Sequence, residues 1–234
     1  MRRLINLTIR NFVRKPITNL INLAGLAVSL ALVIILSVYS YSELTTDNYH
    51  KNGDRVYMYG DLNKGIYTPA ILKEHIDLSV PGVESTVRMA SAWEAPTFQV
   101  GNNDPITSDL VFADEDFFKL FTYLPVEGNL ESALKVPMSV VITTTLSEKL
   151  FGSNHSVGRI MKMNNDKELI VSAVIEVPKA NSCLSFSAIA SVETRKIVLP
   201  NGDEFKEWGW CNFQTFVLLK KGVSPDETGK KILA

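Results

Sequence analysis

The pattern of hydrophobic and polar residues changes abruptly near residue 43. From Ile17 to Ser42 the chain has 26 residues without Asp, Glu, Lys or Arg. A helix of that length extends roughly 39 Å, which exceeds the ~30 Å hydrocarbon core of a bilayer. A cleaved signal peptide is the alternative, but its apolar region has typically ~7–15 residues and ends at small residues. Because this run is longer and ends in Tyr39 and Tyr41, it predicts a retained transmembrane helix over residues 17–42.

After residue 43, short β-like segments alternate with short helical ones. β-branched and aromatic residues predict strands over residues 55–62, 83–91, 97–101, 106–113, 139–143, 159–164, 168–177, 185–192 and 213–221. Capping and turn residues predict four helices. The first has Thr68 as its cap, begins at Pro69 and stops before Pro81-Gly82; the others extend over 114–121, from the capping box Thr145-x-x-Glu148 to Gly152, and from Ser224 onward. The predicted fold class is α+β: one transmembrane helix followed by a mixed α/β domain over residues 43–234.

The basic residues are unevenly distributed. Residues 1–16 contain five basic residues and no acidic one, which leaves 19 basic against 25 acidic residues in the rest of the chain. Lys and Arg beside a membrane span stay on the cytoplasmic side. We therefore expect residues 1–16 to be a cytoplasmic amphipathic segment and residues 43–234 to lie outside. The acidic balance argues against binding to nucleic acid, which needs a basic surface on the folded domain.

Small and polar residues interrupt the apolar run. Gly25-x-x-x-Ser29 and Ala27-x-x-x-Ala31 would allow a second helix to approach closely, and Asn22 adds a polar group. Small residues are also common in membrane helices without such a partner, and this alternative stays open. The candidate helix-packing residues are Asn22, Gly25, Ala27 and Ser29.

Residues 42–61 concentrate acids, amides and a histidine, as a metal or catalytic site would. A calcium loop starting at Asp47 needs oxygen ligands at its third and fifth positions and Gly at its sixth, where this chain has Tyr49, Lys51 and Asn52. The sequence also contains no nucleophile elbow, His-Glu-x-x-His motif or Cys-x-x-Cys pair. We therefore expect no catalytic residue, no metal and no cofactor.

The chain has two cysteines, Cys183 and Cys211. Both would lie in an oxidising compartment, which leaves a disulfide open. Two buried thiols are the expected arrangement, because nothing in the sequence indicates that the two residues meet.

Several strings of residues together carry a family resemblance. Near the amino end they are Arg10-Asn11, Asn22, Gly25-Leu26-Ala27, Glu43, Asp47, His50, Asp54-Arg55 and Tyr57; later ones are VFADEDFFKLFTYLPVEGN, VVITTTLSEKLFG and TFVLLKKGV. In this combination the chain resembles ABC transporter permeases of the MacB/FtsX-like class, especially the versions of Bacteroidetes-type bacteria. Thr46, Tyr49 and Cys183 depart from the usual pattern, which puts packing details rather than the class in doubt.

The resemblance implies a permease component that couples ATP hydrolysis by a separate cytoplasmic ABC ATPase to movement of a periplasmic domain, for efflux or export of envelope molecules. It implies a place in the cell inner membrane, a second permease copy, and partners in the periplasm or outer membrane. Such permeases have three further membrane helices, so we expect the chain to be the N-terminal portion of one, with an incomplete periplasmic core domain. The alternative is a single-pass, membrane-anchored periplasmic module that binds a ligand or a protein without transport.

The resemblance implies a structural rather than a catalytic role for residues 42–61. We expect Glu43, Asp47, Asp54 and Arg55 to form a stalk junction between the membrane helix and the domain. Asp47 and Asp54 would hold hydrogen bonds and salt bridges there, with Arg55 as an expected partner.

Overall fold

A computed structural model describes residues 16–60, 65–177, 181–199 and 204–232. Contacts divide the chain into two units, one ending at Thr46 and the other starting at Asp47. The first unit contains helix α1, Pro16–Leu44, none of whose side chains is buried. Its length and composition are sufficient to cross a membrane. The expected cytoplasmic segment, residues 1–16, lies outside the described residues except for Pro16.

The second unit is a mixed sheet with helices packed on both faces. Its helices α2 to α6 are Leu72–Ser79, Phe117–Leu120, Thr144–Phe151, Val192–Val198 and Pro225–Ile232. Its strands β1 to β12 are Val56–Tyr59, Thr68–Pro69, Val83–Ser91, Thr97–Gln99, Ile106–Thr107, Leu110–Ala113, Pro125–Gly128, Ser139–Thr143, Ile160–Met163, Lys167–Ile175, Ala188–Ser191 and Cys211–Leu219. Together with α1 these elements confirm the predicted α+β class.

The strands of the described residues follow the order β1-β12-β3-β6-β11-β8-β10-β9-β4-β5, with β2 beside β12 and β7 beside β10. β6 with β11 and β8 with β10 pair in parallel. β3 and β12 run antiparallel, so that Val83 lies beside Leu219 and Met89 beside Gln214. The start of β3 and the end of β12 therefore lie at the same end of the sheet, and Val56 of β1 joins them there beside Leu218.

The central strands bury both of their faces. Successive side chains of a strand point to opposite sides, and in β6 Val111 and Ala113 join one hydrophobic cluster whereas Leu110 and Phe112 join another. The first cluster is closed by the aromatic residues of α3 and the second by the apolar face of α4. Strands covered on both faces are continuously apolar rather than alternating, which is the pattern of SVVIT in β8.

Two predicted helix caps are wrong. Thr68 lies in β2, where its hydroxyl is 2.7 Å from the Thr215 hydroxyl and donates to the Phe213 carbonyl, and α2 begins only at Leu72. The cap of α4 is Thr143 rather than Thr145, because the Thr143 hydroxyl accepts a hydrogen bond from the Leu146 amide. The N-cap of α2 is Ile71, which makes no side-chain capping bond, whereas in α4 a threonine two positions earlier takes the capping role.

Candidate functional site

Residues 47–56, which we call the entry segment, are the first residues of the second unit and contain three of the expected stalk residues. The segment begins with Asp47 in the left-handed backbone region, at φ 60°. The Asp47 amide donates to the Asn181 carbonyl at 3.0 Å, and its carboxylate accepts from the Cys183 amide at 3.2 and 3.3 Å. Asp47 therefore binds the loop before β11 through both its backbone amide and its carboxylate.

His50 is the buried member of the entry segment, with 8% of its surface exposed. Its Nδ1 accepts a hydrogen bond from the Thr122 amide at 2.9 Å, and its ring contacts the edge of Phe121 at a centroid distance of 5.3 Å. Burial lowers the pKa of His50 below its ordinary value, although the Asp47 carboxylate, 3.7 Å from Nε2, opposes this effect. The geometry thus requires the neutral imidazole with its proton on Nε2.

Lys51 and Asn52 attach the segment to the end of α3. The Lys51 amide donates to the Thr122 hydroxyl at 2.9 Å, and the Asn52 side-chain amide donates to the Lys119 carbonyl at 2.9 Å. Together with the bond from Thr122 to His50, three hydrogen bonds join the entry segment to residues 119–122.

Arg55 fixes the other end of the entry segment to the sheet. Its guanidinium donates to the Glu84 carboxylate at 3.0 Å, to the Leu219 carbonyl at 2.8 Å and to the Asn52 side-chain oxygen at 2.8 Å. The expected partners were Asp47 and Asp54, so that expectation is wrong: the ion pair of Arg55 is with Glu84, at the start of β3. A planar guanidinium matches a carboxylate wherever the fold places one, and here β3 brings Glu84 within reach.

The remaining expected residues have different positions. Asp54 is exposed, and its backbone carbonyl accepts from the Tyr57 hydroxyl at 3.2 Å. Glu43 is exposed in α1, in the first unit. The stalk-junction role of these residues stays a prediction.

The packing residues predicted for the membrane helix all lie in α1. At 100° per residue, Asn22, Gly25 and Ser29 fall on one face, whereas Ala27 falls nearly opposite Gly25. The Ser29 hydroxyl donates to the Gly25 carbonyl at 2.8 Å, so that it is satisfied within the helix. A second helix packed on the Asn22 face would therefore not contact Ala27, and the packing role itself stays a prediction.

The histidines and cysteines lie in separate places. Within the described ranges, no group of three His, Cys, Asp or Glu residues could hold a metal ion. Cys183 and Cys211 form no disulfide, and both side chains are exposed. The expectation of two buried thiols is therefore wrong. Cys183 lies in the loop that Asp47 holds, and Cys211 is the first residue of β12.

A buried ion pair is the main feature that the residue pattern does not indicate. Arg195 of α5 donates to the Glu204 carboxylate through Nε at 3.0 Å and Nη2 at 3.2 Å, and each residue is only 1% exposed. The guanidinium lies near the rings of Phe112 and Phe213, at 5.5 and 5.4 Å. Arg195 also lines a mainly apolar cavity of about 310 Å³ with Phe112 and Trp93. No local signal in VETRKIV distinguishes this arginine from a solvated one.

Comparisons with known proteins agree with this architecture. A family model described as the MacB-like periplasmic core domain matches residues 20–234. No curated protein matches the chain. Among solved structures, the chain is similar to a domain of a Porphyromonas gingivalis protein described as a permease, with 20% identity and a TM-score of 0.64 over 76% of this chain and 78% of that one.

Two further solved structures share the fold. The periplasmic region of MacB from Actinobacillus actinomycetemcomitans is 13% identical, with a TM-score of 0.57 over 76% of this chain and 78% of that one. The extracellular domain of the noncanonic ABC-type transporter YknZ from Gram-positive bacteria is 14% identical, with a TM-score of 0.53 over 76% and 88%. At these identities the likeness concerns the fold, while the family model covers nearly the whole chain. The chain therefore belongs to the family of MacB-like periplasmic core domains and is a component of a MacB/FtsX-like ABC transporter permease.

Proposed function

We propose that this permease component works by mechanotransmission: a cytoplasmic ABC ATPase moves the membrane helix, and the domain outside the membrane relays that movement. The single observation that carries the proposal is the family match over residues 20–234, which includes most of α1 as well as the domain. The direction of transport would be outward, for efflux or export of an envelope molecule. The N-terminal residues would lie in the cytoplasm and the domain in the periplasm, with a second permease copy beside the first.

The attachments of the entry segment support this role. A segment fixed at one point can rotate about that point, whereas one fixed to separate elements moves together with them. The entry segment is bonded to the loop at 181–183, to residues 119–122, and to both Glu84 and Leu219 of the sheet. Any displacement applied to residues 47–56 would therefore be carried into the sheet rather than absorbed by a hinge.

Co-purification tests the proposal. The protein, tagged and expressed from its native locus, is extracted from membranes in a mild detergent and its stable partners are identified by mass spectrometry. We expect an ABC ATPase in near-stoichiometric amount. Recovery of the protein without any ATP-binding cassette subunit would overturn the transporter function.

Relay through the entry segment is tested by hydrogen exchange on the complex with its ATPase, with and without vanadate trapping. In the wild type, nucleotide-dependent changes should appear in residues 47–56 and also in residues 119–122. In His50→Ala/Asn52→Ala, which removes two of the three hydrogen bonds to residues 119–122, the change at 119–122 should fall roughly tenfold, because a loss of ~1.4 kcal/mol of coupling corresponds to a factor of ten. Arg159→Ala is the matched control, because Arg159 lies over Phe151, away from the segment. An undiminished change in the double variant would contradict the relay.

The second candidate function is a membrane-anchored periplasmic binding module. The observation that favours it is the cavity beside Arg195, whose apolar walls and few polar groups are typical of small-ligand sites. Copurification separates the two candidates, since a binding module needs no ATPase.

A further inference from the structure

A cleft of about 620 Å³ lies beside the entry segment. Residues 51–57 form one wall, and residues 219–223, which are the last residue of β12 and the turn after it, form the other. The second wall turns back on itself because the Val223 amide donates to the Lys220 carbonyl, with Gly222 in the left-handed region at φ 80°. A residue with a side chain is disfavoured at that φ, so the glycine shapes this wall.

The cleft is cationic although the protein is not. Four basic side chains line it, and Asp54 is the one acidic residue of its lining. The basic residues are Lys51, Arg55, Lys220 and Lys221. By contrast, residues 17–234 contain 19 basic and 25 acidic residues. A local excess of positive charge within an acidic domain creates a potential that attracts anions selectively to this place.

Hydrogen bonds to the protein position two of the four cations of the cleft. Arg55 is held by Glu84, Asn52 and the Leu219 carbonyl, and the Lys220 ammonium donates to the Pro81 carbonyl at 2.9 Å. Lys51 and Lys221 are exposed. Two positioned cations with two exposed ones beside them suit an anion with several oxygens, such as a phosphate, which each ammonium or guanidinium can approach from a different side.

We propose that this cleft binds the phosphate of an anionic phospholipid headgroup at the outer surface of the inner membrane. This inference rests on the proposed membrane anchoring of α1. Lys51 follows Leu44, the last residue of α1, by seven positions. A chain of that length reaches at most ~25 Å when fully extended, so the cleft is tethered to a residue at the end of the predicted span. Binding of lipid phosphate would hold the entry segment at the membrane surface, where the relay begins.

The test uses the full chain inserted in lipid nanodiscs and hydrogen exchange of residues 219–223. One set of discs contains phosphatidylcholine alone, and another contains about one-third phosphatidylglycerol. We expect exchange at 219–223 to be at least about threefold slower in the anionic discs. Each juxtamembrane Lys contributes ~1 kcal/mol to binding. Lys220→Gln/Lys221→Gln should therefore raise the phosphatidylglycerol fraction needed for half-maximal protection by roughly 30-fold. A shift of that size exceeds the available lipid fraction, so that no protection should be seen in this variant.

Lys230→Gln/Lys231→Gln is the matched control, because it removes the same two charges from an exposed part of α6 outside the cleft. This variant should behave like the wild type; equal loss in both variants would reduce the effect to net charge and overturn the site. Inorganic phosphate added to phosphatidylcholine discs tests whether the cleft binds free phosphate instead of a lipid phosphate. Full protection by phosphate without anionic lipid would assign the cleft to a free phosphate and overturn the lipid.

Two failures are distinguishable in this experiment. A chain that is not retained in the discs would contradict the proposed anchoring and with it the permease function. A chain that is retained, but shows equal exchange in both kinds of disc, would overturn the lipid site alone.

Discussion

His50 combines burial with a hydrogen bond that only its neutral form accepts. The pKa of His50 is lowered by burial, while the unfolded chain protonates at about the ordinary value of 6.5. At pH above 6.5 neither state is protonated, and the folded state keeps its full stability. As the pH falls from 6.5 toward the lowered pKa, the unfolded state binds a proton that the folded state does not, so the free energy of unfolding decreases.

We therefore expect the melting temperature of the full chain in neutral detergent to fall between about pH 7.5 and about pH 5.5. His50→Asn retains a side-chain acceptor for the Thr122 amide but does not titrate, and should flatten this dependence while lowering stability at every pH. His75→Gln, which changes a histidine in α2, should leave the dependence intact. A pH dependence unchanged in His50→Asn would show that another group causes it.

Asp47 stabilises the entry segment by its charge and by its backbone conformation. Its carboxylate accepts from the Cys183 amide, and its φ of 60° is tolerated by Asp and Asn better than by most residues. Asp47→Ala should lower the free energy of unfolding by ~2 kcal/mol, the sum of a lost hydrogen bond and backbone strain. Asp47→Asn keeps an acceptor and the backbone preference, and should lose less than half as much. Urea denaturation measures both, and equal losses would indicate that the charge alone matters.

At the scale of secondary structure, the sequence predicted strands and helices best where their signals are local. β3 and β8 have the predicted bounds, the β9–β10 hairpin forms around residues 164–167, and Gly152 ends α4. β7 and α5 were not predicted. β7 is a short edge segment defined by pairing with β10, and the cap of α5 is Ser191, in a run that looks like a continuing strand.

The candidate site follows the same rule. The sequence singled out Asp47 and Arg55, because their segment is abruptly polar, but it could not identify their partners. Glu84 and Cys183 lie 29 and 136 positions away from the residues they contact. Only the pairing of β3 with β12, and the loop that precedes β11, bring these groups to the entry segment. Contacts of that kind depend on topology, which residue pattern alone does not determine.

Two glycines with similar φ angles differ in the space that a Cβ atom would have, so that their substitution distinguishes backbone strain from steric overlap. Gly128 of β7 has φ 87°, and a Cβ there would lie 2.5 Å from the Ser172 carbonyl oxygen; Gly158 has φ 80° and open space. Gly158→Ala should cost only the backbone term, ~1–2 kcal/mol. Gly128→Ala must also displace β7 from β10, and should cost ~3 kcal/mol or more. Thermal melting compares the two, and similar losses would mean that β7 shifts freely.

For the whole molecule, the exposed cysteines allow the orientation of the chain to be measured without a reporter fusion. Cys183 and Cys211 are the only cysteines of the sequence, and both lie exposed in the second unit. If that unit is outside the cytoplasm, a membrane-impermeant maleimide should label both in intact cells, in the same amount as after permeabilisation. Cys183→Ser and Cys211→Ser should each remove about half of the label.

A cysteine on the other side of the membrane provides the control. In the double-serine background, Thr8→Cys places a single thiol within the basic residues 1–16, before α1. The positive-inside rule predicts a cytoplasmic position for it, so it should react only after permeabilisation. Labelling of Thr8→Cys in intact cells, with protection of the native cysteines, would reverse the orientation and place the domain beside the cytoplasmic ATPase instead of across the membrane from it. Mechanical relay to the far side of the membrane would then be impossible.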